Sequence, residues 1–154
     1  MGLRPKTINR FLFYKLPAAW WTGVRVSFFN AQKAEVKVRF KWINQNPFRS
    51  MFWAVQGMAA ELATGVFFIE LHSRKDIDIS TLLVGTKAQF TKKAVGQITF
   101  SCEQGDQISA LVEKALTSGQ GEQIWVDAIG VDEAGDRVAQ FSFHWSIKQK
   151  SKKQ

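Results

Sequence analysis

The chain has 154 residues, 45% of them hydrophobic, with 13 Phe and 6 Trp; that is enough apolar material for one core and excludes a disordered chain. A formal charge of +8 raises nucleic acid or an anionic surface as partner, but eight of the 21 basic residues lie at the two ends. Arg4, Lys6, Arg10 and Lys15 hold one end and Lys148, Lys150, Lys152 and Lys153 the other, so the middle is neutral overall and no nucleic acid partner is expected.

Residues 1–22 read as a helical lead-in, with an amphipathic helix over 7–16 that places Ile8, Phe11, Leu12 and Leu16 on one face and ends at Pro17. Lys15 and Pro17 interrupt the apolar run and no small-residue cleavage site follows, so no secretory leader is expected. Val24–Asn30 reads as a strand and Asn30–Lys33 as a turn. In Ala34–Trp42 the apolar Val36, Val38, Phe40 and Trp42 alternate with Glu35, Lys37, Arg39 and Lys41, the pattern of an antiparallel strand with one solvated face. Asn44–Ser50 is a loop carrying an Asn-Pro pair, and a long apolar helix follows from Met51. Leu82–Lys92 and Gly96–Glu103 look like a hairpin. Asp106 is placed to cap a second helix with the stripe Ile108, Leu111, Val112, Ala115 and Leu116, stopped by Gly119. Gln123–Val131 and Arg137–Ile147 read as a last hairpin, with Phe141, Phe143, Trp145 and Ile147 inward, and 148–154 as a basic flexible tail dispensable for folding.

The segment Met51–Ile69 decides the architecture. Its only charge is Glu61, near the middle, with Gln56 as a second polar group. A central acid is costly in a bilayer, and the segment draws much of its length from Gly and Ala, so it reads as a helix buried within a protein and not as a membrane span. A helix apolar nearly all round needs cover on most sides, which a curved antiparallel sheet supplies; the fold class is therefore α+β, one domain over 1–147. Such a sheet leaves edges and apolar surface that a second copy would cover, so a homodimer or a dimer of dimers is expected.

Glu61 must be paired, hydrogen-bonded, protonated or open to a cavity. Helical spacing puts Trp53, Gly57, Glu61 and Gly65 on one stripe with Thr64 beside it, and the glycines leave room on either side of the carboxylate. Two readings stand: a working carboxylate beside a slot for an acyl chain, or a packing stripe at a subunit contact with Glu61 paired across it. Asn46 either positions a substrate or closes a turn before Pro47. Gln56 offers a second polar contact or a bond within a dimer. The lone Cys102 lies in a strand pattern and reads as a packed thiol; with no second cysteine, a reducing cytoplasmic location is expected. No metal-ligand spacing, phosphate loop or dinucleotide fingerprint is present.

The element order resembles the hot-dog fold, a curved sheet around a long central helix, and Asn46–Gly65 carries the resemblance. Small thioesterases of the phenylacetate-pathway type have an Asn, a His-Gly-Gly six residues on, and an acid nine after that His; Asn46 stands fifteen before Glu61, and ELATG resembles the stretch after the acid. Phe52, Trp53 and Ala54 replace His-Gly-Gly, which is closer to the divergent branch labelled DUF4442. The resemblance implies acyl-CoA thioester hydrolysis, with Glu61 as general base or nucleophile. It also implies a backbone N–H at the helix start, at the position of Trp53, for the oxyanion. Coenzyme A would enter as part of the substrate, with no separate cofactor. The missing His-Gly-Gly leaves a non-catalytic acyl-CoA or lipid-binding protein as the alternative.

Overall fold

The computed structural model describes residues 2–150. Helix α1 spans Pro5–Lys15 and α2 Pro17–Trp21; strands β1 (Arg25–Phe29) and β2 (Ala34–Arg39) follow, then a single 3-10 turn at Trp42–Asn44 and the long helix α3, Trp53–Ser73. Next come β3 (Ile79–Phe90), β4 (Gln97–Cys102), α4 (Gly105–Ser118), β5 (Glu122–Val131) and β6 (Arg137–Gln149). The strands form one antiparallel sheet in the order β1-β2-β4-β5-β6-β3, and α3 packs against five of them, β1, β2, β4, β5 and β6.

Helix α3 is proline-free and rich in Ala, Leu, Met and Glu, which favours a helix. Val55, Ala59, Ala60, Leu62, Ala63, Val66, Phe67, Phe68 and Leu71 are buried on it, so most of its circumference is covered. Each large side chain so buried contributes roughly 1.5–3 kcal/mol. The helix is long and apolar enough to cross a membrane by length and composition, and it is spent here as the core of a curved sheet. The inward face of β6 meets it as expected: Phe141, Phe143, Trp145 and Ile147 are buried, Phe141 lies 3.5 Å from where a Cβ on Gly57 would stand, and Trp145 lies 3.6 Å from the same point on Gly65. The hot-dog fold anticipated from element order is the fold observed.

Four expectations are corrected. The largest concerns β3 and β4, which do not form a hairpin. β3 pairs with β6 at one edge of the sheet, while β4 lies between β2 and β5. Period-two alternation marks a strand without naming its neighbour. The linker settles the matter: the Thr91 N–H donates to the Val138 carbonyl, and the Ala94 and Gly96 carbonyls accept from the Met51 and Phe40 N–H groups, which fastens the crossing chain from the start of β6 to the end of β2. Second, β2 ends at Arg39 and Trp42 is exposed. The Asn44 side chain, itself buried, reverses the backbone by accepting from the Lys41 N–H at 2.8 Å and donating to the Thr22 and Arg39 carbonyls at 2.9 Å each. Third, α1 buries Ile8 and Leu12 but leaves Phe11 and Leu16 half exposed, and Pro17 both ends α1 and opens α2. Fourth, α4 is capped at Gln104 and Asp106 sits in its first turn; Gly119 ends it with φ of 68°, as a left-handed C-cap requires.

The basic tail expected over 148–154 is corrected at its first three residues. Lys148 and Gln149 belong to β6, and Lys150 donates its N–H to the Asp78 carbonyl and pairs with the Asp78 carboxylate at 3.1 Å. The rest of that expectation, 151–154, lies outside the described residues.

Asn44 holds the turn that delivers the chain to α3, and no sequence motif marks it. Asn44→Ala removes three buried hydrogen bonds and strands an N–H and two carbonyls. Its expected cost is about 2–3 kcal/mol, read as a lower urea midpoint at unchanged m-value.

Candidate functional site

Glu61 lies in the middle of α3 and lines a groove of about 390 Å³ between α1–α2, α3 and the inner face of β6. The walls are apolar, with Phe11, Leu16, Met58, Leu62, Phe68 and Trp145 among them; Lys15 stands at the rim and His72 and Thr81 at the far end. Of the four outcomes open to a carboxylate in an apolar helix, the structure takes the cavity. Among the described residues no hydrogen bond or ion pair reaches the Glu61 carboxyl group, and desolvation by the surrounding walls pushes its pKa above the usual 4.5. The side chain still opens to solvent at the mouth, so it remains able to ionise and to meet a ligand.

The backbone under Glu61 is fixed from the sheet. Trp145 donates its indole N–H to Thr64 Oγ1 at 3.0 Å, and the Thr64 hydroxyl donates to the Glu61 carbonyl at 3.0 Å. Thr64 is fully buried, so it positions the helix turn and does not face the groove. Gly57 and Gly65 lie against Phe141 and Trp145, which would be ordinary van der Waals neighbours of an added Cβ.

The other expected residues gather around the start of α3, in a second groove of about 570 Å³ lined by Asn46, Ser50, Phe52, Trp53, Gln56 and Lys93. Phe52 is the N-cap residue and offers no capping side chain. Among the described residues the Trp53 and Ala54 N–H groups have no backbone acceptor, so two donors at the positive end of the helix dipole are open. Asn46 closes its loop: its Oδ1 accepts from the Phe48 and Ser50 N–H groups at 2.8 and 3.3 Å, and its Nδ2 donates to Ser50 Oγ at 3.1 Å. Of the two readings of Asn46, this geometry is the turn. Gln56 is buried and donates to the Met51 carbonyl at 3.2 Å, while its Oε1 has no partner among the described residues. An unmade bond of that kind costs about 1–3 kcal/mol.

The two grooves share no residue. Trp53 and Glu61 are eight positions apart on one helix, about 12 Å along its axis. The carboxylate and the helix-start donors are therefore not brought together within one copy of the chain, although the stripe they share suggested one site.

Cys102 is buried and its thiol is pushed up to about 11, chiefly by desolvation, which is the packed thiol expected. His72, which the sequence places just after the long helix, lies in the last turn of α3 and shares a 2.8 Å hydrogen bond with Thr81 at the groove. His144 lies between the buried Phe143 and Trp145 on the outer face of β6 and stacks on Trp125 with ring centroids 4.6 Å apart.

The family described as a domain of unknown function, DUF4442, matches residues 5–147. The chain belongs to this family. No curated protein sequence matches it. Among solved structures, this DUF4442 chain resembles a Pseudomonas aeruginosa protein of unknown function, named a probable thioesterase, with a TM-score of 0.81 at 20% identity over 97% of this chain and 99% of that one. A Chlorobaculum tepidum protein of unknown function gives 0.78 at 13% identity, covering 97% and 99%. A Haemophilus influenzae thioesterase gives 0.73 at 11% identity, covering 97% and 93%. At these identities the likeness is one of fold, and it extends through the DUF4442 domain from end to end.

The raised pKa of Glu61 means that the folded protein holds the proton more tightly than the unfolded chain. Stability linked to the protonated form is lost as pH rises from 4.5 through the folded value, so the ionised group is a net cost at neutral pH. Glu61→Gln is expected to fold and to melt above the parent at pH 7.5. The difference should shrink toward pH 4, where both side chains are neutral, and thermal unfolding at the two pH values checks it.

Proposed function

We propose that the protein hydrolyses acyl thioesters of coenzyme A, with Glu61 as general base or nucleophile. The observation that carries this reading is an unpaired carboxylate of raised pKa on the wall of an apolar groove, on the helix of a fold shared with proteins named as thioesterases. Burial in part brings the carboxyl closer to neutral pH, where a general base works best. In the general-base form Glu61 takes a proton from water, the resulting hydroxide adds to the thioester carbonyl, and the tetrahedral oxyanion collapses with loss of the thiolate, which is then protonated. Coenzyme A is part of the substrate and the chemistry calls for no further cofactor.

The distance between Glu61 and the start of α3 gives the assembly its role in this proposal. A thioester carbonyl touching Glu61 lies out of reach of the Trp53 and Ala54 N–H groups of the same copy. A two-fold pairing that lays one α3 antiparallel to another brings the helix start of each to the carboxylate of the other. Strand β3 offers the seam: it has twelve residues, its outer edge is unpaired, and Leu82 and Val84 are exposed on it. The proposal is thus a homodimer with two composite sites, in which Gln56 Oε1 finds a donor in substrate or partner. A cytoplasmic location accompanies it, on the strength of the lone, buried Cys102. Light scattering at micromolar concentration is expected to give at least a dimer, and a monomer would remove the composite site.

A second reading rests on one residue. Trp53 is 58% exposed where the phenylacetate-pathway type carries glycine, and it lines the groove at the start of α3 that holds the proposed oxyanion donors. If it bars the approach, the protein binds acyl groups without cleaving them. Thiol release from a panel of aryl- and fatty-acyl-CoA esters separates the two. Hydrolysis by the parent is expected, with Glu61→Gln slower by roughly 100- to 10,000-fold. Equal rates for parent and variant would dismiss Glu61 from catalysis, and binding without turnover would favour the second reading.

A further inference from the structure

The first 60 residues hold ten Lys or Arg and one acidic residue, Glu35. The neutrality of the middle of the chain is therefore an average over a basic first part and an acidic remainder. The basic part is also where large apolar side chains stand in solvent. Trp42 is 83% exposed, Tyr14 72% and Trp21 68%, with Phe13, Leu16 and Ile43 more than two-fifths exposed. A soluble surface tolerates such residues singly, and a cluster of them marks a contact.

Contacts join the segments that carry these residues, α1, α2 and the Trp42–Asn44 turn, into one strip. Phe13 meets Tyr14 and Trp20 edge to face, with centroids 4.9 and 5.4 Å apart. Arg25 lies over the Trp20 ring at 3.4 Å. The Asn44 side chain ties the Thr22 carbonyl, just past Trp21, to the turn that carries Trp42 and Ile43. Lys15 and Lys41 adjoin the exposed residues, and Arg10 is on the same helix as Tyr14. The strip sits at the β1 side of the fold: α1 packs on β1, where Asn9 exchanges hydrogen bonds with the Val26 backbone at 2.8 and 2.9 Å. The strand order ends at β1 on this side and at β3 on the other, while α1 and α2 also wall the Glu61 groove together with Thr81 of β3.

We propose that the strip formed by α1, α2 and the Trp42–Asn44 turn docks on an anionic lipid bilayer. Trp and Tyr favour the headgroup level, where an apolar ring and a polar tip are both satisfied. Each Lys or Arg held at an anionic surface multiplies partitioning by roughly fivefold. Leu16 and Lys15 belong both to the strip and to the lining of the Glu61 groove, so the docked face adjoins that groove. The docking is independent of whether the groove cleaves what enters it.

The test uses the full chain and vesicles of phosphatidylcholine, with and without phosphatidylglycerol, in co-sedimentation. Binding is expected to the anionic vesicles and to weaken between about 0.1 and 1 M salt, as the screening length falls from about 10 to 3 Å. The double variant Trp21→Ser/Trp42→Ser should keep its fold and its oligomeric state and lose at least about tenfold in partitioning. No binding to anionic vesicles, or equal binding by parent and variant, would overturn the proposal. So would a variant that breaks down to smaller oligomers, which would make the strip an interface between copies. Preference for single-stranded RNA over vesicles in competition would overturn it in favour of nucleic acid.

Discussion

Everything in this protein follows from one helix that has no polar side to turn to water. Helix α3 is apolar around almost its whole circumference, and an uncovered face would expose Leu, Val and Phe at a cost of kilocalories per residue. The sheet bends around it because six antiparallel strands can do so and a flat layer would cover only one side. The crossing from β3 to β4, the burial of alternate residues on β6 and the close approach of β6 to Gly57 and Gly65 all serve that cover.

Where the cover is left open, the chemistry becomes available. The groove beside Glu61 is walled by α1–α2 together with β6 and Thr81 of β3, and the carboxylate lines it with no partner among the described residues. Desolvation raises its affinity for a proton, and the Trp145–Thr64–Glu61 backbone chain keeps its turn of helix in place. A paired Glu61 would have been a cross-link. An unpaired one in an apolar groove is the group on which the proposed hydrolysis rests.

The same helix explains why one copy looks incomplete. Its open N–H donors and its carboxylate are separated by two turns of rigid backbone, and no side-chain motion closes that gap. The buried Gln56 Oε1 lacks a donor at the same end. Unspent hydrogen-bonding capacity at the helix start, an unpaired edge on β3 and an exposed aromatic strip near β1 are three different surfaces, each suited to a different contact.

The sequence by itself determined the elements and their inward faces. The alternation in β2 and β6 and the stripe of α4 were legible because burial imposes a period on the chain; the fifteen-residue interval from Asn46 to Glu61 was legible only through the family resemblance. Glu61 was legible for the converse reason, as the one charge where the pattern allows none. What the pattern could not carry was pairing and proximity. Alternation is the same whether β3 lies beside β4 or beside β6, and a helical stripe lists Trp53 and Glu61 together although about 12 Å of helix separates them. Asn44 and His72 escaped for a related reason: a polar residue in a loop or at a helix end has no periodic context, and only the carbonyls of Thr22 and Arg39, or the hydroxyl of Thr81, brought near by the tertiary fold, give them a task.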